Sequence, residues 1–325
     1  MKAIGVTTFG GPEVLHVVEL PEPHAGTGEV RIRVHAASVN PTDTLFRAGS
    51  QAARLSRRPG PYVPGMDAAG VIDELGPETD SRLKVGDRVV AFVIPAGPHG
   101  GAYAEYVVVP AASVVLAPAG VDFPAASTLL LNGLTARLAL DALALDAGQT
   151  MAITGAAGAF GGYVIQLAKA DGLTVIADAS RSDQTLVRSL GADYVLDRGD
   201  TFAERVRSIV PEGVPGLADG ARLNHLALPA IADGGAMAVI LGWDGPTERH
   251  ITLHKISSAA FATNTALLDQ LVRQVEQGIL TLRVADVLPA DQAVGRTSPP
   301  RSWQRTWTPG VRLYDLKPSC PGAKL

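Results

Sequence analysis

Through the first 120 residues, apolar positions come in short runs of strand length, rich in β-branched residues and broken by Gly and Pro. Such runs at 3–6, 15–19, 29–36, 69–75, 88–93 and 104–109 predict strands. Helical periodicity is scarce there, apart from a short candidate at Pro41–Arg47. The pattern predicts a compact, mainly β, partly barrel-like domain.

Near residue 122 the texture changes. Ala, Leu and Thr recur with helical period over 123–145, interrupted at Asn132-Gly133. An apolar run at Thr150–Thr154 leads into GAAGAFGG at 155–162 and a helix to Ala170. Further strands are predicted at 173–177, 194–196, 223–227 and 236–241, with a charged helix at 182–190. Continuous apolar strands alternating with helices mark a parallel sheet covered on both faces. Residues 122–265 are therefore predicted to form an α/β, doubly wound, Rossmann-type nucleotide-binding domain. An amphipathic helix follows, carrying Leu267, Leu268, Leu271, Val272 and Val275, and then a strand at 283–288.

Composition narrows the function classes. The net charge of −4 and pI near 6.0 give no electrostatic reason to expect nucleic acid or an anionic membrane as partner. No apolar run approaches the roughly 20 residues of a membrane span, and the N-terminus reads as a strand, so a cytoplasmic protein is expected. A single cysteine, Cys320, excludes a four-cysteine zinc site and an internal disulfide.

The run 155–162 ends a strand and begins a helix. Ala156, Gly158 and Gly161 reproduce a dinucleotide fingerprint with alanine for its first glycine. Gly158 lets backbone approach a pyrophosphate, and Gly161 permits close helix–strand packing. The helix start, with Ala159 and Phe160, offers free N–H groups to an anion. At the end of the next strand, Asp178 could hold a ribose 2′-hydroxyl and favour NADH. Ser180 and Arg181, with Arg198 further on, could instead hold a 2′-phosphate. The reading favours NADPH over NADH.

The order and spacing of several segments identify a resemblance. FGGPEVL at 9–15, VNPTDTLFRAG at 39–49, PGMDAAGVIDELGP at 64–77, VGDRVVAF at 85–92, GGAYAEYVVVP at 100–110, NGLTA at 132–136 and SLGADYVLD at 189–197 accompany the glycine turn. Together they resemble the zinc-free quinone oxidoreductase branch of the medium-chain dehydrogenase/reductase superfamily, from residue 1 to about 293. The resemblance implies a discontinuous GroES-like catalytic domain (1–121 and 266–325), an active site in the cleft beside the nucleotide domain, and a homodimer. It implies NADPH-dependent hydride transfer to a quinone or an α,β-unsaturated carbonyl compound.

Zinc-dependent relatives carry Gly-His-Glu where this chain has Gly65-Met66-Asp67, so the histidine ligand is missing. His250 and His254 are four apart, but their segment reads as a strand, which would separate them by roughly 13 Å. No zinc is expected. Hydride addition to a conjugated acceptor needs no Lewis acid, because charge develops on an oxygen that hydrogen-bond donors can stabilise.

By resemblance, Asn40 faces the nicotinamide and donates to cofactor or substrate. Asp43 braces its loop through Arg47 or stabilises the helix dipole. Many relatives carry a tyrosine where this chain has Leu45, so the proton donor is open, with Tyr62, Tyr103 and water as candidates. Thr128, Asn132 and Thr135 are implied to line the cofactor approach. Gly242 is expected near the nicotinamide, and Trp243 with Leu45, Phe46, Phe92 and Phe261 in an apolar pocket for a flat ring.

Beyond residue 294 the text GRTSPPRSWQRTWTPG departs from the family's closing helix and turn. A shifted reading frame or recent divergence would leave a poorly packed C-terminus. Two other readings stay open. One is a tailoring enoyl reductase or cyclase acting on a larger, polyketide-like substrate. The other is a non-catalytic NADP(H)-binding protein.

Overall fold

The computed structural model describes residues 1–79, 81–290 and 310–312, the last three as backbone, and divides into two compact units. One unit is Met1–Thr128 with the described residues from 284 onward; the other is Leu129–Arg283.

The first unit is built from strands β1 (Lys2–Gly5), β2 (His16–Glu19) and β3 (Glu29–Ser38), followed by helices α1 (Pro41–Arg47) and α2 (Ala52–Leu55). Strands β4 (Asp67–Leu75), β5 (Arg88–Phe92), β6 (Tyr106–Pro110) and β7 (Val114–Leu116) and helix α3 (Phe123–Ala126) complete its long segment. Along β3, Val30, Ile32 and Val34 point into the core while Arg31 and Arg33 point away from it. β3 is the organising strand: it pairs antiparallel with β4 on one edge and with β6 on the other. Its last residues, 36–38, are buried without interruption and begin the polar segment that leads into α1.

The second unit starts with α4 (Leu130–Leu143), then β8 (Thr150–Thr154), α5 (Ala159–Ala170), β9 (Thr174–Ala179), α6 (Gln184–Ser189), β10 (Tyr194–Asp197) and α7 (Phe202–Ile209). β11 (Val214–Asp219), β12 (Ile231–Val239), β13 (Thr252–Lys255) and α8 (Thr265–Glu276) follow. Its six strands are all parallel, in the order β10-β9-β8-β11-β12-β13. Chain direction across the sheet reverses between β8 and β11, so the turn after β8 opens at the switch point where doubly wound sheets bind ligands. β14 (Val287–Pro289) and β15 (Gly310–Arg312) return to the first unit, where β15 pairs with β3.

The α/β doubly wound sheet and the mainly antiparallel unit agree with the sequence reading, with local differences. The helix expected to break at Asn132-Gly133 runs through them as α4, because Gly133 lets Leu271 of α8 pack within 3.3 Å of where its Cβ would stand. The strand expected at 223–227 is a short 3-10 turn; the strand lies at β11 instead. Pro215 and Gly216 disguise it, and they coincide with a register shift against β12. The strand expected at 283–288 shrinks to β14, and His250 lies in a turn just before β13. The units divide after Thr128 and Arg283, against expected boundaries at 122 and 266. The atypical text at 294–325 and Cys320 lie outside the described residues, β15 apart. Among the described residues no helix is long and apolar enough to cross a membrane.

Phe92, at the end of β5, is 1% exposed and among the largest fully buried side chains. Phe92→Ala is expected to lower unfolding free energy by about 3–5 kcal/mol in a urea titration, through lost burial and the cavity left behind.

Candidate functional site

Each unit carries one buried polar constellation. In the first, the chain leaves β3 at Ser38, turns at Asn40 and enters α1 at Pro41, whose missing N–H costs nothing at a helix start. Asn40 is 2% exposed. Its amide Nδ2 donates to Ser38 Oγ (2.8 Å) and to Asp67 Oδ2 (3.1 Å), and Ser38 Oγ donates to the same carboxylate oxygen (2.7 Å). The two acceptors lie 2.7 Å apart on one side of the amide, and Asn40 is a strut between β3 and β4.

Asp43 is the centre of the second half of the knot. Its carboxylate accepts from Asn40 N (2.8 Å), Gly65 N (3.0 Å) and the Tyr103 hydroxyl (3.2 Å). It thereby joins the start of α1, the loop before β4 and the loop before β6. Burial pushes the Asp43 carboxyl up to about 7, with Asp67 adding to the rise and the donors opposing it. Burial first, and the carboxylates of Asp43 and Asp67 after it, hold the Tyr103 phenol well above its ordinary range. Its hydroxyl is shared between Asp43 and Ser38 O (3.2 Å). Tyr62 stacks on Phe9 at 5.2 Å and donates to Arg58 O at 2.8 Å. Both phenols considered as proton donors are thus committed to the protein.

In the second unit the site is the turn between β8 and α5. Gly158 is the N-cap of α5, and the first N–H groups of the helix, those of Ala159, Phe160 and Gly161, have no partner one turn back. A Cβ at Gly161 would overlap the Gly155 carbonyl oxygen, whereas one at Gly158 would meet only that oxygen, at 3.2 Å. The turn is thus closed on the sheet side and open on the other. Thr154 Oγ1 donates to Asp219 Oδ1 (2.5 Å), joining the tips of β8 and β11 at the switch point. Asp219 also accepts from Leu223 N (3.0 Å) and Asn224 N (2.7 Å), which bends the chain where a strand was expected.

Asp178 is 1% exposed. Its Oδ1 accepts from Ala156 N (3.1 Å), and its Oδ2 lies 3.4 Å from Arg198 Nε. Burial raises its carboxyl, while Ala156 and Arg198 oppose the rise. The acid considered as a ribose hook holds the glycine turn instead, and Arg198 is drawn to it. Just beyond, Ser180 Oγ bonds Ser182 Oγ (2.9 Å) and Asp183 Oδ2 (2.6 Å), while Arg181 is exposed. Sequence reasoning missed Asp67, Asp219 and Arg283; only Asp67, two residues after Gly65 in a quoted motif, carried a usable signal.

The remaining expected residues scatter. Thr128 is buried in the first unit, its hydroxyl on Ala125 O (2.8 Å). Thr135 bonds Leu131 O (2.6 Å) along α4, and Asn132 is half-buried on the same helix. Phe46 and Phe92 are buried in the first unit, Phe46 with Leu55 and Ala96, and Leu45 is exposed there. In the second unit Phe261 is exposed, Gly242 adopts a positive φ (66°), and Trp243 packs against the sheet core. Among the described residues no three His, Cys, Asp or Glu side chains gather as a metal site.

Known proteins bear out the resemblance. Residues 26–119 match the alcohol dehydrogenase GroES-like domain. The quinone oxidoreductase of Sus scrofa is 34% identical over 259 residues, covering 76% of this chain and 75% of that protein. The chloroplastic NADPH-dependent alkenal/one oxidoreductase of Arabidopsis thaliana is 34% identical over 249 residues, 74% of this chain and 63% of that protein. A mycobacterial protein solved complexed with NADPH superposes with a TM-score of 0.84 at 29% identity, over 96% of this chain and 100% of that one. The chain belongs to the quinone oxidoreductase family, within the medium-chain dehydrogenase/reductase superfamily of oxidoreductases.

Asp43 gives the first site a measurable signature. Its folded pKa, about 7, stands above the ordinary 3.8, so between these values the folded chain holds the extra proton. The Asp43 contribution to stability is therefore highest below about pH 4 and falls as pH rises to about 7. In urea titrations at pH 4.5 and 8, wild type is expected to lose up to a few kcal/mol relative to Asp43→Asn on going to the higher pH.

Proposed function

We propose that this chain is an NADPH-dependent reductase of quinones or α,β-unsaturated carbonyl compounds. The observation that carries the cofactor assignment is the state of the two groups at the end of β9. Asp178 is buried and spent on the glycine turn, so it does not offer a carboxylate to a ribose 2′-hydroxyl. Arg181 is exposed three residues on, beside the hydroxyls of Ser180 and Ser182, a set suited to a 2′-phosphate. The turn fits the rest of a dinucleotide. It has no side chain on its open side at Gly158, and the unpartnered N–H groups of α5 start there.

When bound, NADPH supplies a hydride which, with one proton, converts a quinone to a hydroquinone or an enone to a saturated carbonyl. The acceptor class rests on the names of the relatives from pig and Arabidopsis, a quinone oxidoreductase and an alkenal/one oxidoreductase. It also rests on the protein's acids. Tyr62 and Tyr103 hold their protons in internal hydrogen bonds, and Leu45 has none to give. A reduced quinone oxygen is basic enough to take its proton from water, so this chemistry makes no demand on a side-chain acid.

Oxidation of NADPH at 340 nm, with a chelator present, is expected with ortho-quinones or short enones; a panel without any turnover would defeat the reading. Arg181→Ala is expected to raise KM for NADPH about tenfold and leave that for NADH unchanged. Losing a general acid costs about 10²–10⁴-fold, so Tyr62→Phe, expected to keep kcat within about twofold, separates solvent protonation from a phenol donor.

A further inference from the structure

Arg283 lies directly after the segment that follows α8, at the end of the second unit, and its side chain reaches the glycine turn. Nη2 donates to the carbonyl oxygens of Gly158 (2.8 Å) and Ala157 (3.3 Å). The segment is fastened for this purpose. Gln166, buried on α5, donates to Gly162 O (3.1 Å) and accepts from Thr281 N (2.8 Å), two residues before the arginine. Burial pulls the Arg283 pKa down, with Tyr163 and Asp183 opposing; a guanidinium nevertheless keeps its charge in proteins.

The glycine run is shaped around this side chain. A Cβ at Gly162 would overlap Nη2 of Arg283 and stand 3.2 Å from its Cζ. Gly161 answers to the Gly155 carbonyl and Gly162 to the guanidinium, with Leu190 Cδ1 3.3 Å from the same point. On the far flank, Asp178 accepts from Ala156 N. An anion and a cation therefore grip the same turn, one by an N–H and the other by carbonyls.

We infer that Arg283 is a positioning residue for the diphosphate of the cofactor, setting the glycine turn from behind and adding a full positive charge beneath it. In a trans peptide the carbonyl and the following N–H point opposite ways, so Gly158 O, held by both Gly162 N (2.9 Å) and the guanidinium, keeps the Ala159 N–H aimed away from them. That N–H is the first donor of α5 with no partner one turn back. The charge acts in the same sense as the helix start, attracting the anion. This inference rests on the dinucleotide reading of the turn given above.

The test uses two variants with opposite structural costs. Arg283→Met removes the charge and keeps an apolar stem. Gly162→Ala leaves the arginine in place but displaces its guanidinium, while improving helix propensity within α5. Dissociation constants of NADPH and of adenosine 2′-phosphate, which lacks the diphosphate, are measured by calorimetry on the full chain, with melting temperatures alongside. Both variants are expected to weaken NADPH about tenfold and to leave adenosine 2′-phosphate within about twofold. The Gly162→Ala melting temperature is expected not to fall. Arg283→Lys should recover part of the loss. NADPH binding equal to wild type in both variants overturns the inference, and so does parallel weakening of both ligands, the mark of a general disturbance. Wild-type protein that binds neither NADPH nor NADH overturns instead the dinucleotide reading itself.

Discussion

A Cβ at residue 161 would overlap the carbonyl oxygen of Gly155 and stand 2.7 Å from the Cα of Ala156, so α5 can start where it does only because that position has no side chain. This close approach decides the geometry of the β8–α5 turn. It sets the first turn of α5 against the end of β8, and so places the unpaired N–H groups of the helix at the point where strand order reverses. The neighbouring groups then secure what the approach creates. Asp178 holds the turn from β9, Arg283 holds it from the segment after α8, and Thr154 with Asp219 ties the adjoining strand tips. Each of these polar groups is removed from water at a cost that only its partners offset. Losing one partner would leave the other buried and unsatisfied.

The first unit solves a comparable problem with a different set. The exit from β3 into α1 and the loop before β4 leave backbone donors at Asn40 and Gly65 inside the protein, and Asp43 accepts from both. Its own charge is then the expense, visible in a carboxyl pushed up to about 7. Asp67 and Ser38 similarly accept from the Asn40 amide. Segments that carry family motifs in this chain, VNPTD and PGMD, therefore meet as a structural knot. These motif residues work as braces for the loops that carry them.

Membership of the quinone oxidoreductase family fits a chain that keeps the nucleotide turn yet has methionine where zinc-dependent relatives have a histidine ligand. At the end of β9 in this chain Asp178 and Arg181 are placed differently. An aspartate at that place would ordinarily suggest a preference for a bare ribose, but here it is turned under the glycine loop. The arginine beyond it stays at the surface.

Periodicity and spacing alone determined the α/β class, the parallel sheet, the glycine turn and the order of nearly every strand, because these depend on local alternation and on residues adjacent in sequence. β11 escaped because Pro215 and Gly216 mask its apolar run, and α4 was expected to break because Gly133 reads as a stop until Leu271 is seen against it. Phe46 and Phe92 could be named as aromatic but not as core, since burial depends on what packs around a side chain. The partners of Asp43, Asp178 and Arg283 were decided only by the tertiary structure. They lie 22 residues away for Gly65 on Asp43 and for Ala156 on Asp178, and 125 for Gly158 on Arg283. A carboxylate or guanidinium takes the donor or acceptor that folding brings within 3 Å or so, and no rule of sequence separation specifies which that will be.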